Sequence, residues 1–308
     1  MRSSNFFLQP SEEQAILKTL LYSDIFDFPL TRDELWRFLI TDKKITKDVF
    51  NSALNALSDT IVLKNGFYCL KGKEQNILKR KKNSKEVHKK MQIARRAAYF
   101  LSFIPTVRFV GISGGLALEN VQKEDDIDFF IITKKNTLFM TRLWILLVLE
   151  WLHLRRRRNE TEAVDRICVN LLIDETRLAW PLSKRDLYTA HEIVQIKPLF
   201  ERGNIYEVFL ASNKWIERFL PNTPTEKPAL PGKRWKTTYY SLRLITLLFS
   251  VFRFEALVKK IQKQYMKKHQ TSEVITNTVL AFHPIDYRSK TMEVLRSKCE
   301  KLGLLTNF

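Results

Sequence analysis

RFVGISGGLALENVQKEDDIDFFIIT, residues 108–133, divides into strand, glycine turn, short helix, loop and strand. The first strand is read at about residues 108–112, the turn at Ser113-Gly114-Gly115, and a buried strand at residues 129–132. Glycines let the backbone approach an anion closely, and the amides that open the following helix point toward it. Ser113 adds a hydroxyl donor. The specific feature is the coupling of this turn to Asp126-Ile127-Asp128. Alternate residues of a strand share a face, so Asp126 and Asp128 project together where the buried strand begins. Two adjacent carboxylates repel each other unless a cation lies between them. Mg²⁺ takes carboxylates together with substrate phosphates, and two such ions about 4 Å apart hold the attacking and leaving oxygens of a phosphoryl transfer. The reading is a metal site at Asp126 and Asp128 beside a phosphate site at Ser113, Gly114 and Gly115.

The pattern of Gly114-Gly115, about ten intervening residues, Asp126-x-Asp128 and an apolar strand resembles the DNA polymerase beta nucleotidyltransferase superfamily. The resemblance covers residues 93–173, approximately. It implies an α/β (α+β) fold on a mixed sheet with flanking helices, and Mg²⁺ as cofactor. It also implies an NTP whose nucleotidyl group moves to a hydroxyl on RNA, protein or a small molecule. With its N-terminal region the chain looks like bacterial and archaeal nucleotidyltransferase-domain proteins with a winged-helix-like front. The superfamily further implies a third carboxylate on a later strand, serving as base and metal ligand. The matching strand is RICVNLLI, residues 166–173, whose central polar residue is Asn170. An amide takes no proton as a base and is a weaker metal ligand. Asp165, Asp174, Glu124 and Asp125 stay open as substitutes for it. The alternative function is a catalytically silent nucleotide- or nucleic-acid-binding regulator.

Outward from this core, residues 1–75 are read as a winged-helix-like domain, 76–220 as the nucleotidyltransferase-like core, and 221–308 as a helical C-terminal domain. Ser11-Glu12-Glu13-Gln14, Thr31-Arg32-Asp33-Glu34 and Thr46 each open a helical pattern. Two short apolar runs then flank Lys64-Asn65-Gly66, a strong hairpin signal. Three helices and a hairpin resemble a winged helix, usually a DNA-reading module. Its third helix carries few base-reading side chains, so packing on the core or on protein competes with DNA reading. Residues 73–103 read as a long helix that includes Lys79-Arg80-Lys81-Lys82. Such a run is either a solvated face or a phosphate-contacting one. The same two readings apply to the four arginines 155–158.

The charge points to an anionic partner. Lys+Arg number 52 against 33 Asp+Glu, a formal net charge of +19, which suits an NTP and a nucleic acid on a basic surface. The hydrophobic fraction of 45% excludes a disordered chain. Cys69, Cys168 and Cys299 are scattered without a CxxC, so a cytoplasmic location is expected and no zinc site is suggested. Cys168 lies in an apolar run and reads as a small core residue. No signal peptide is read at the N-terminus. Residues 137–154 and 239–254 are strongly apolar, yet each contains charges that are costly in a bilayer. They read as buried or amphipathic helices, with peripheral membrane contact open because basic residues flank both. His283 reads as a capping or buried group, and Trp215, Trp235, Tyr239 and Tyr240 as core residues before base-stacking ones.

Overall fold

Side-chain caps start the first three helices where the sequence places them. Ser11 accepts from the Gln14 amide and opens α1 (Glu12–Asp24). Thr31 and Glu34 form a reciprocal capping box for α2 (Arg32–Arg37). The Thr46 hydroxyl accepts from the Val49 amide at the start of α3 (Lys47–Ala56). Each cap satisfies amides that a first turn leaves unpaired, worth about 1 kcal/mol. Asn65 and Gly66 have φ of +56° and +83°, so both occupy the left-handed region that a two-residue hairpin turn demands. They join β2 (Ile61–Lys64) to β3 (Phe67–Leu70) with Lys64 opposite Phe67. β1 (Leu30–Thr31) is too short to leave a pattern in the sequence; it pairs antiparallel with β3, giving the sheet order β1-β3-β2. Leu20, Leu35, Leu39, Phe50 and Leu54 pack beneath this small sheet.

The computed structural model describes residues 11–157, 160, 163–223, 255–268, 274–282 and 287–306. Its class is mixed α/β. After α4 (Gln75–Leu101) come β4 (Val107–Ile112), α5 (Gly114–Ala117), β5 (Ile127–Thr133), α6 (Leu138–Trp151) and β6 (Ile167–Asp174). Then follow α7 (Leu187–Val194), β7 (Lys197–Glu201), α8 (Ile205–Ala211), α9 (Glu255–Lys267), β8 (Val274–Ile275), β9 (Val279–Ala281) and α10 (Tyr287–Lys301). The strands form one sheet in the order β7-β4-β5-β6-β9-β8. Only β5 and β6 run parallel; the other neighbours are antiparallel. One face carries Val110, Phe129, Ile131 and Val169 against Ala94, Leu101, Ile145 and Leu149 of α4 and α6. The other carries Phe109, Phe130, Ile132 and Ile173 against α7, α8 and α10. Both faces of β5 are covered, which is why Phe129–Phe130–Ile131–Ile132 is unbroken in apolar character.

Two sequence expectations change here, and a third holds. The run from Lys79 to Lys82 is not a uniform solvated face, because Arg80 is buried. It pairs with Glu34 at 2.7 Å and lies between the rings of Phe28 and Phe67, locking α4 to the N-terminal sheet. The region from residue 221 onward, expected to be helical, holds α9 and α10 but also β8 and β9. These strands extend the core sheet beyond β6, with Leu172 opposite Leu280. Strands of two and three residues are too brief for a period-two signal. The apolar helix at residues 137–154 is α6, half sunk against the sheet with Leu147 and Trp151 exposed. No helix among the described residues is long and apolar enough to cross a membrane. Residues 224–254, which include Trp235, Tyr239, Tyr240 and the second apolar stretch, lie outside the described residues, as do Arg158 and His283.

Candidate functional site

The turn after β4 and the start of β5 are held as one unit. Ser113 N donates to the Asp128 carbonyl at 3.0 Å, carrying the β4–β5 ladder into the turn. Gly114 has φ of +63°, and a Cβ there would lie 2.6 Å from Oδ2 of Asp128. Glycine is therefore required twice, by conformation and by space. Gly115 is tight as well, its would-be Cβ falling 3.0 Å from the Asn120 carbonyl. Ser113 Oγ is enclosed and has no hydrogen-bond partner among the described residues. An enclosed hydroxyl without a partner is costly unless a ligand satisfies it.

Asp126 and Asp128 do project together, and the structure adds a third group. Asp128 stands opposite Cys168 in the β5–β6 register. Ligand atoms of Asp126, Asp128 and Cys168 all lie within 4.8 Å of one another. Asn170 is not the residue beside the pair. The register slips between Phe129↔Val169 and Phe130↔Leu171, leaving Asn170 in the irregularity. It is buried, and its carbonyl accepts from Phe282 N at 2.9 Å, where β9 ends. Nothing in the sequence fixes that register, so only the structure brings Cys168 to the pair. Its apolar flanks hid it.

Of the other acidic candidates, Glu124 is exposed, and Asp174, Asp125 and Asp165 are engaged elsewhere. Asp174 lies at the far end of β6, opposite Thr133, and its oxygens accept from Asn136 N at 2.7 Å and from Thr176 N and Oγ1 at 2.9 and 2.6 Å. Asp125 Oδ2 accepts from Gln122 N at 2.7 Å. Asp165 pairs with Lys89 at 2.5 Å and lies 3.5 Å from Lys90 Nζ. Lys90 is fully buried and also donates to the carbonyls of Lys123 at 3.1 Å and Asp125 at 2.6 Å. It pins the loop that delivers Asp126. Nothing in the sequence separates this lysine from its exposed neighbours in α4.

The arginine run splits by alternation. Arg155 and Arg157 pair with Glu150 near the end of α6, whereas Arg156 turns to Asp126 and forms an ion pair with it. Burial, then the charges of Asp126 and Glu192, push the Asp128 carboxyl up to about 8. Burial and the same two aspartates push the Cys168 thiol up to about 12. Both shifts describe a site short of positive charge, which a divalent cation supplies. The enclosed Ser113 hydroxyl, the converging donors and the cationic Arg156 already at Asp126 make the residues fit a metal and a phosphate.

Comparison with known proteins places the chain in no family: no family model, no curated protein and no solved structure matches it. The geometry of the site is therefore what argues for its chemistry.

Behind the site, Glu192 on α7 is pushed up to about 7 by burial. Its neighbour His191 is pushed down to about 3, also by burial, and stacks on Tyr22 of α1 with ring centroids 4.1 Å apart. His191 thus stays neutral in the folded chain from pH 7 down to about 3, while the unfolded chain takes up a proton below 6.5. Stability is lost as pH falls through that window, by about 1.4 kcal/mol per pH unit. Glu192 acts oppositely, weakening the fold as pH rises from 4.5 toward 7. The two separate in denaturant melts of the native chain and His191→Phe across pH 3–7. The advantage of the native chain over the variant should shrink steadily below pH 6.5. A pH-independent difference would show that His191 is not held neutral.

Proposed function

We propose that this chain is a divalent-metal-dependent nucleotidyltransferase, moving an NMP from an NTP to a hydroxyl acceptor. One observation carries the reading: the Ser113-Gly114-Gly115 turn packs directly on Asp128, with Asp126 beside it. In this reading Ser113 Oγ donates to a phosphate oxygen. The missing side chain at Gly114 lets that phosphate come close to the backbone. Asp126 and Asp128 hold the cation, which when bound neutralises charge on the phosphate oxygens. With a cation held by Asp126, the Arg156 guanidinium would be free to bind the triphosphate. A bond forms between the acceptor oxygen and the α-phosphorus, the bond from that phosphorus to the bridging oxygen breaks, and pyrophosphate leaves. The hydroxyl proton passes to solvent.

The test is incubation with each α-labelled NTP, bulk RNA and protein lysate. Label should transfer with the native chain and vanish with Asp126→Asn/Asp128→Asn. Transfer by the double variant would reject the site.

A second reading, a silent nucleic-acid-binding regulator, is supported by α4. Lys81, Lys82, Lys85, Arg95 and Arg96 are exposed along it. A groove of about 1160 Å³ bounded by Arg37, Lys81, Arg95 and Lys197 runs beside the helix. The order of helices and strands in the N-terminal region supports the winged-helix-like reading. Its α3, however, exposes Asp48 and ties Lys47 to Asp33, which favours packing over DNA reading. Nucleic-acid binding that weakens steeply with salt, without any transfer, would select this second reading.

A further inference from the structure

Cys168 stands where the resemblance calls for a carboxylate. A cysteine that merely filled space would face apolar neighbours. This one is half-buried opposite Asp128, its sulfur within 4.8 Å of the ligand oxygens of Asp126 and Asp128. Two further observations mark the cluster as a ligand site. The Arg156 guanidinium pairs with Asp126, so this carboxylate already holds a cationic group at the cluster. Ser113 Oγ, on the turn that packs against Asp128, is enclosed without a partner.

Two oxygens and one sulfur are an unusual donor set for Mg²⁺. That ion is small, demands oxygen ligands in near-octahedral order, and gains nothing from a soft sulfur. Zn²⁺ and Co²⁺ accept carboxylate and thiolate together and bind such sites more tightly along the divalent series. We infer that Cys168, with Asp126 and Asp128, makes this a centre that takes a thiophilic divalent cation of the Zn²⁺ or Co²⁺ class in preference to Mg²⁺. The inference rests on the reading of the cluster as the metal centre of the proposed reaction. On binding, the Cys168 thiol gives its proton to solvent and its sulfur takes the ion as a thiolate.

The test uses the full chain, stripped of metal and titrated with Cd²⁺ as a spectroscopic probe, then with Zn²⁺ and Mg²⁺ alone. Native protein should develop sulfur-to-cadmium charge-transfer absorption with one equivalent of ion. Cys168→Ser should lose that band and bind Cd²⁺ and Zn²⁺ at least ~10-fold more weakly, with its Mg²⁺-induced thermal shift unchanged. Cys168→Asp should reverse the preference toward Mg²⁺ and serves if the serine variant folds poorly. Cys69→Ser, remote from the cluster, should keep the band. No band in the native chain, or one that survives Cys168→Ser, overturns the inference. Asp126→Asn/Asp128→Asn separates the two claims. If that variant loses Mg²⁺ binding while Cys168→Ser changes nothing, the metal class alone is wrong. If it binds every ion unchanged, the metal centre itself is wrong, and the inference falls with it.

Discussion

Lys90→Met is expected to lower stability by about 3–5 kcal/mol and to abolish transfer. Lys90 has no exposed surface, and its ammonium sits among the Lys123 and Asp125 carbonyls and the Asp165 carboxylate. Methionine keeps the length of the side chain and removes every donor. Two carbonyls then lose their partner, and Asp165 keeps only Lys89. In a chain of this size the melting temperature should fall by on the order of 10 °C. The loop of residues 123–125 precedes Asp126 directly, so loosening it also misplaces the carboxylate pair, and a displacement near 1 Å costs roughly 10²-fold in rate. Lys89→Met is the control. Lys89 is exposed, so water screens its pair with Asp165, and its loss should leave the site intact. Equal melts for the two variants would show that Lys90 does not hold the loop.

Gly114→Ala is expected to remove NTP binding and cut transfer by at least ~10²-fold, at a stability cost of about 1–3 kcal/mol. The backbone at φ +63° disfavours any side chain, and the added carbon would meet Oδ2 of Asp128 at 2.6 Å. Either the turn or the carboxylate must move, and each belongs to the proposed site. Gly203→Ala separates the two causes. Gly203 has φ of +73° with nothing within 4 Å of its would-be Cβ, so it carries the conformational penalty alone, about 1–2 kcal/mol. Calorimetric titration with a nucleoside triphosphate should detect binding to native protein and to Gly203→Ala, and none to Gly114→Ala. Retained binding by Gly114→Ala would remove the glycine turn from the site.

Local patterns were legible wherever one short stretch carries the whole physical reason. A hydroxyl or carboxamide at a cap answers amides three residues on, so Ser11, Thr31 and Thr46 mark helix starts correctly. Asn-Gly at residues 65 and 66 tolerates positive φ at both positions, so the hairpin follows. The pairing of Gly114-Gly115 with Asp126-x-Asp128 is legible for the same reason. Strand parity puts both carboxylates on one face, and glycine at the preceding turn admits close approach.

The rest depends on neighbours distant in sequence. The position beside Asp128 is decided by register, which makes it Cys168 and leaves Asn170 in an irregularity further along β6. Among the lysines of α4, Lys90 turns inward because the 123–125 carbonyls and Asp165 happen to meet there, while Lys89 one residue away stays in water. Arg80 is buried because Glu34 and two aromatic rings surround it. By itself the sequence determined the helix starts, the hairpin and the glycine–aspartate pairing, since each depends on residues within a few positions of one another. Tertiary structure alone decided which sulfur joins the aspartates, which lysine holds their loop, and that β8 and β9 extend the sheet, since those contacts close over long loops and are selected by packing.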